Sequence, residues 1–195
     1  MSQHTRKVGL RRQLTVCAMM SALAMIVIFC FHKPPFATSL LAGLPLHYQV
    51  GIGLGFGCFY WIVTQIGYRF MPNSQTTRST IESYSRLDLK GWNPVWISLA
   101  AGFGEELLFR GALQPLIGIW LTSIIFVVAH TKAYRFDALS KRVAIQMAGV
   151  FAVSCVLGLI ASYVGLIAAM LVHALVDVIG LYAVRGAASK LQPLP

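Results

Sequence analysis

The sequence predicts an all-α, polytopic transmembrane helix bundle of about six spans with both termini in the cytoplasm. Three observations predict it. Hydrophobic residues make up 57% of the 195 residues and charged residues only 11%, whereas a soluble domain carries about 25% charged residues. Mean hydropathy is +0.70. Apolar runs long enough to cross a bilayer recur along the chain, and the basic residues fall in alternate connections between them. The length suits one membrane-embedded domain covering residues 1–195.

A span needs roughly 20 mostly apolar residues. Six stretches qualify: Leu14–Phe31, Tyr48–Gly67, Pro94–Leu113, Leu116–His130, Val143–Ser162 and Leu166–Val184. Backbone polar groups in lipid must be satisfied within the segment, so these are helices. The first follows Arg6, Lys7, Arg11 and Arg12, and Lys33-Pro34-Pro35 comes after it instead of a small-residue cleavage site. It therefore reads as a retained signal anchor. The second holds Gly51, Gly53, Gly55 and Gly57, a spacing of small residues that lets helices approach closely. The fourth is short and follows the third after only Gln114-Pro115. The polar segment 72–93 reads as a cytoplasmic loop.

Charge sets the orientation. Arg6, Lys7, Arg11 and Arg12 share one side with Arg69, Arg78, Arg86, Lys90, Lys132, Arg135, Lys141, Arg142, Arg185 and Lys190. That side holds fourteen of the sixteen basic residues; Lys33 is on the other, and Arg110 is inside a span. This asymmetry places the basic side in the cytoplasm. The net charge of +10 is thus a membrane-topology signal, and its spread over connections does not form a nucleic-acid footprint. The partners it implies are the lipid bilayer and a membrane-associated molecule, with no nucleic acid. Cys17, Cys30, Cys58 and Cys155 lie in apolar runs without a C-x-x-C pair and read as small buried hydrophobes. The C-terminal Gln192-Pro193-Leu194-Pro195 carries no cysteine, so prenylation of this chain there is not expected.

The acids are few: Glu82, Asp88, Glu105, Glu106, Asp137 and Asp177. Glu105, Glu106 and Asp177 fall inside spans, with Arg110, His130 and His173. A charged residue at the centre of a span opposes insertion by roughly 2.5–3.5 kcal/mol, so such a group of residues reads as a functional site. Glu106 and Arg110 are i and i+4 with the acid first, the better order for a pair. Glu105 points about 100° away from Glu106. His173 and Asp177 are also i and i+4, and His130 closes the fourth span. Each pair alone also has a structural explanation, as an ion pair, an interfacial histidine or an interhelical latch. Three separate explanations are less economical than one shared site. Peptide hydrolysis needs what these residues supply: a base for water and donors for an oxyanion.

Glu105-Glu106-x-x-x-Arg110, Phe126-x-x-x-His130 and His173-x-x-x-Asp177, in that order on three helices, resemble the motifs of the CAAX protease and bacteriocin-processing (CPBP, or Abi) family of intramembrane proteases. The resemblance covers about residues 100–184. This family includes type II CAAX prenyl endopeptidases, which remove the last three residues after a prenylated cysteine, and bacterial members linked to bacteriocin maturation and self-immunity. The resemblance implies a hydrolase acting within the membrane on a peptide bond of a membrane-associated protein or peptide, and the small, basic chain reads as a multi-pass protein of a bacterial plasma membrane. It implies that Glu105 activates water with help from His130, that His173 and Asp177 stabilise the oxyanion, and that Glu106 and Arg110 orient the site. Many relatives carry Asn where Asp177 stands. The expectation is a glutamate-type enzyme without a cofactor. Two alternatives stay open. One is a zinc enzyme with Glu105, His130, His173 and Asp177 as ligands, since two histidines and a carboxylate suit zinc. The other is a membrane protein that binds a partner, confers immunity or relays protons without hydrolysis.

Overall fold

The structure, a computed structural model, describes residues 7–36, 40–70, 84, 86–131 and 141–191, with no side-chain description at 67–70, 141–142 and 187–191. Arg6, Arg69, Arg78, Glu82, Lys132, Arg135, Asp137, Lys141, Arg142 and Lys190 therefore lie outside the described residues or side chains, as do positions 72–83 and 85 of the expected loop and the C-terminal Gln192 to Pro195.

The described residues are helical almost throughout: α1 (Leu10–Phe31), α2 (Leu46–Phe70), α3 (Asn93–Glu106), a π-helical segment (Leu107–Leu113), α4 (Gln114–Ala129), α5 (Lys141–Tyr163) and α6 (Leu166–Leu191). Five helices are long and apolar enough to cross a membrane, and the third of them is the continuous run Asn93–Ala129 of 37 residues. Phe29, Phe59, Trp61, Phe103, Trp120 and Val128 are among many large apolar side chains left exposed. An outer surface so apolar suits lipid, and this is a multi-pass membrane protein. Cys30 and Cys58 share that outward face, so only Cys17 is buried as expected and Cys155 is partly so. In lipid an outward-facing cysteine is no worse placed than an inward one, and polarity alone did not distinguish them.

A straight helix of 37 residues would be about 55 Å long, nearly twice the hydrocarbon core of about 30 Å. This one is not straight. Gly118 takes φ 78° and ψ 168°, and the chain doubles back there. The Phe109 and Phe126 ring centroids lie 4.9 Å apart, and Glu105 meets His130 at 3.4 Å. A straight helix would separate those pairs by about 26 and 38 Å. The five helices thus supply six membrane-directed segments, the fourth being a short return arm of about 18 Å. The turn was expected at Gln114-Pro115, and the structure moves it to Gly118. Pro115 follows directly on the π-helical segment, and the backbone stays helical through it. Gln114 is tied inward, its Nε2 donating to Gly158 O at 2.9 Å and Ser162 Oγ at 3.0 Å. Glycine alone enters a positive φ cheaply.

Both ends of the bundle are defined by short contacts. At one, Val8 pairs with the strand-like segment at Leu87, Leu10 packs with Leu89, Ile97, Leu181 and Val184, and Arg185 Nη1 donates to Gly91 O at 3.0 Å. At the other, Gly43 pairs with Gly165, and a His32 ring nitrogen hydrogen-bonds Ala112 O at 2.9 Å. The start of α1, the start of α3 and the end of α6 therefore share one end, the end that carries Lys7, Arg11, Arg12, Arg86, Lys90 and Arg185. Fusing topology reporters after Lys33 and after Lys141 tests which compartment this end faces. Lys141 is expected to report the cytoplasm and Lys33 the opposite side. One compartment for both would sink this arrangement.

Helix α6 is the central strut, touching α2, α3 and α5. A Cβ added at Gly53 would sit 2.9 Å from Leu171 Cβ, and Gly57 is as tight against Leu175, while Gly51 and Gly55 face open space. Only the i, i+4 half of the glycine series therefore serves close packing. Gly102 does the same between α3 and α6, where an added Cβ would lie 2.9 Å from Met170 O. That approach brings Glu106 of α3 against His173 of α6.

Candidate active site

Helical spacing first sets the acid pair. Glu106 ends α3, and Arg110 lies in the π-helical segment that follows. Such π-turns are rare and recur at functional sites. Arg110 Nε still reaches Glu106 Oε2 at 3.1 Å, with both side chains fully buried. Arg110 Nη2 donates to Ser154 Oγ of α5 at 3.0 Å. The guanidinium centre lies 5.4 Å above the Phe126 ring, within cation–π range.

The other oxygen of Glu106 faces α6. His173 Nδ1 lies 2.7 Å from Glu106 Oε1, a short charge-assisted bond. The opposite edge of the ring, Nε2, faces Asp177 Oδ2 at 3.6 Å, too long for a formed hydrogen bond. Ser154, Arg110, Glu106, His173 and Asp177 thus form one line across α5, the π segment, α3 and α6. The charges inside it offset one another, which is how a membrane interior carries them.

Glu105 projects elsewhere, as its position about 100° round the helix requires. His130, brought back by the turn at Gly118, places Nε2 at 3.4 Å from Glu105 Oε2. Oε2 itself is buried without a hydrogen-bond partner; the His130 contact is an ion-pair approach whose geometry falls short of a hydrogen bond. His130 Nδ1 bonds Phe126 O at 2.8 Å, and its ring stacks on Phe126 with centroids 4.1 Å apart. Phe126 also meets His173 edge-on at 6.4 Å. Helix α1 backs the pair, since an added Cβ at Gly104 would come 2.8 Å from Cys17 O.

All six residues singled out in the sequence therefore lie in two linked groups, Glu105–His130 and Arg110–Glu106–His173–Asp177, joined by Phe126. The sequence reading missed Ser154, which looks like any small polar residue in an apolar helix, and gave Phe126 no role. The zinc alternative requires Glu105, His130, His173 and Asp177 to surround one ion. Among the described residues, no three His, Cys, Asp or Glu side chains form such a group. His173 directs Nδ1 to Glu106 and Nε2 to Asp177, and His130 directs Nε2 to Glu105. As placed among the described residues, these donors do not gather round one ion.

Residues 89–179 match the family described as type II CAAX prenyl endopeptidase Rce1-like. The uncharacterized protein YpbD of Bacillus subtilis (strain 168) is 38% identical over 86 residues, which are 44% of this chain and 42% of that protein. The chain thus spans less than half the length of that relative. No solved structure matches the chain.

Proposed function

We infer, from the premise that residues 89–179 belong to the Rce1-like family of type II CAAX prenyl endopeptidases, that the protein is an intramembrane endopeptidase working through a glutamate-activated water. The observation that carries this reading is the facing pair Glu105 and His130. His130 donates Nδ1–H to Phe126 O and turns Nε2 toward Glu105 Oε2, which among the described residues is buried without a hydrogen-bond partner. A water hydrogen-bonding to both side chains, whose facing atoms lie 3.4 Å apart, would be held beside the base. Glu105 takes a proton from that water as it attacks the scissile carbonyl, then returns it to the leaving amine. His173 donates toward the developing oxyanion, and Asp177, facing the same nitrogen, orients it. Glu106 and Arg110 fix the ring from its other edge. Charge stabilisation of this type is worth most where water is excluded.

The substrate class that fits is a membrane-associated protein or peptide, and the setting a bacterial plasma membrane. Membrane proteomics comparing the wild-type strain with a Glu105→Ala strain tests this. New N- or C-termini present in the wild type and lost in the variant are expected, and they name the substrate. Identical termini in both strains would favour a membrane protein that binds or relays protons without hydrolysis.

A further inference from the structure

We propose that Ser154 is a positioning residue that sets the plane of the Arg110 guanidinium and, through it, both histidines of the site. This rests on the hydrolase reading above for its catalytic consequence and on geometry alone for its structural one.

Arginine presents its N–H donors in a rigid planar fork. For Arg110 the fork is held at two points. Nε is bound to Glu106 Oε2, and Nη2 to Ser154 Oγ, while Nη1 is buried with no hydrogen-bond partner. One contact at Nε leaves the plane free to pivot; the second fixes it. Ser154 is itself completely buried, so no bulk water can replace its oxygen. Both faces of the consequence are visible. Along one direction, the Arg110 plane sets the rotation of the Glu106 carboxylate, whose other oxygen holds His173 Nδ1 at 2.7 Å. Along the other, the guanidinium rests over Phe126, the ring on which His130 stacks at 4.1 Å. A serine on α5, outside all three motifs, is therefore one hydrogen bond away from the residue that touches both arms of the site.

A simpler role would be to pin α5 to the hairpin. Gln114 already does this one turn away, its amide hydrogen bonds going to Gly158 O and Ser162 Oγ instead of to Arg110 or Glu106. It is the control. The test uses full-length protein in lipid nanodiscs, with ¹⁵N-labelled histidine read by NMR across pH. The titrating groups facing the two rings are Glu106, Asp177, Cys17 and Glu105. Ser154→Ala is expected to move the ring signals and titration midpoints of His130 and His173. Ser154→Thr, which keeps the hydroxyl, is expected to restore them. Gln114→Met is expected to lower thermal stability and leave both rings unchanged. On the peptide named by the proteomic comparison, Ser154→Ala is expected to lower kcat about tenfold at unchanged KM, the scale of one lost hydrogen bond to a charged group. Unchanged ring signals in Ser154→Ala, or equal changes in Gln114→Met, would overturn the proposal. If the rings move while no strain shows cleavage, the positioning role stands and the hydrolase reading falls.

Discussion

Replacing Glu105 with Gln is expected to leave an inserted, folded protein whose cleavage rate is lower by about 10²–10⁴-fold, the range that general-base catalysis supplies. The fold should survive because Glu105 contributes little to it. Its side chain retains 16% exposure, its one close partner is His130 at 3.4 Å, and its Oε2 makes no hydrogen bond. The amide has the same shape and cannot accept a proton. The measurement is initial cleavage rate in proteoliposomes, with thermal unfolding to confirm the fold. The same assay with a strong chelator separates the chemistries. Wild-type activity is expected to withstand it, because the donors do not gather around one ion. Near-normal cleavage by Glu105→Gln rules out Glu105 as the base. Chelator-sensitive activity restored by zinc would return the metalloenzyme to first place.

Glu106→Gln is expected to act on the fold as much as on the rate, although the two acids are neighbours. Glu106 is completely buried and binds Arg110 through one oxygen and His173 through the other. Removing one partner of a buried charge pair costs about 3–5 kcal/mol, because the remaining charge is left unpaired. The variant should therefore show a lower unfolding temperature and a lower yield in membranes. Pairing Glu106→Gln with Arg110→Met removes the orphaned cation and is expected to recover part of the stability with none of the activity. Wild-type stability in Glu106→Gln alone would mean that the pair is not what holds α3, the π segment and α6 together.

Much of this was legible before any coordinates. Long apolar runs dictate helices in lipid, and six ionisable residues inside the expected spans, four of them in two i, i+4 pairs, mark a site because hydrocarbon tolerates them only together. The spacing of Glu105 and Glu106 already required them to face different ways, and they do. Other parts were not legible for physical reasons. Pro115 is the stronger breaker by composition, yet the backbone stays helical through it, and the reversal falls on Gly118, a residue equally at home inside a packed helix. The π segment from Leu107 to Leu113 shifts the hydrogen-bond register without any residue that announces it. Ser154 could have bonded its own helix backbone, as serines in helices do; only the approach of α5 to Arg110 gives it another partner.

The hairpin at Gly118 also has a consequence for biogenesis. Glu106 and Arg110 leave the ribosome four residues apart and can neutralise each other within one helix as it enters the bilayer. Glu105 waits for His130, which arrives 25 residues later, and Glu106 waits for His173, separated from it by 67 residues. At a synthesis rate of about 5–20 residues per second, the second wait lasts roughly 3–13 s. During that interval the nascent protein already holds its charged pair and lacks the α6 histidine that the proposed chemistry requires. A chain interrupted before α6 would thus be a membrane-inserted intermediate without the proposed hydrolytic activity. On the proposed mechanism the order of motifs along the gene then acts as a safeguard: Glu105 is installed early, and His173 and Asp177 are among the last parts to be made.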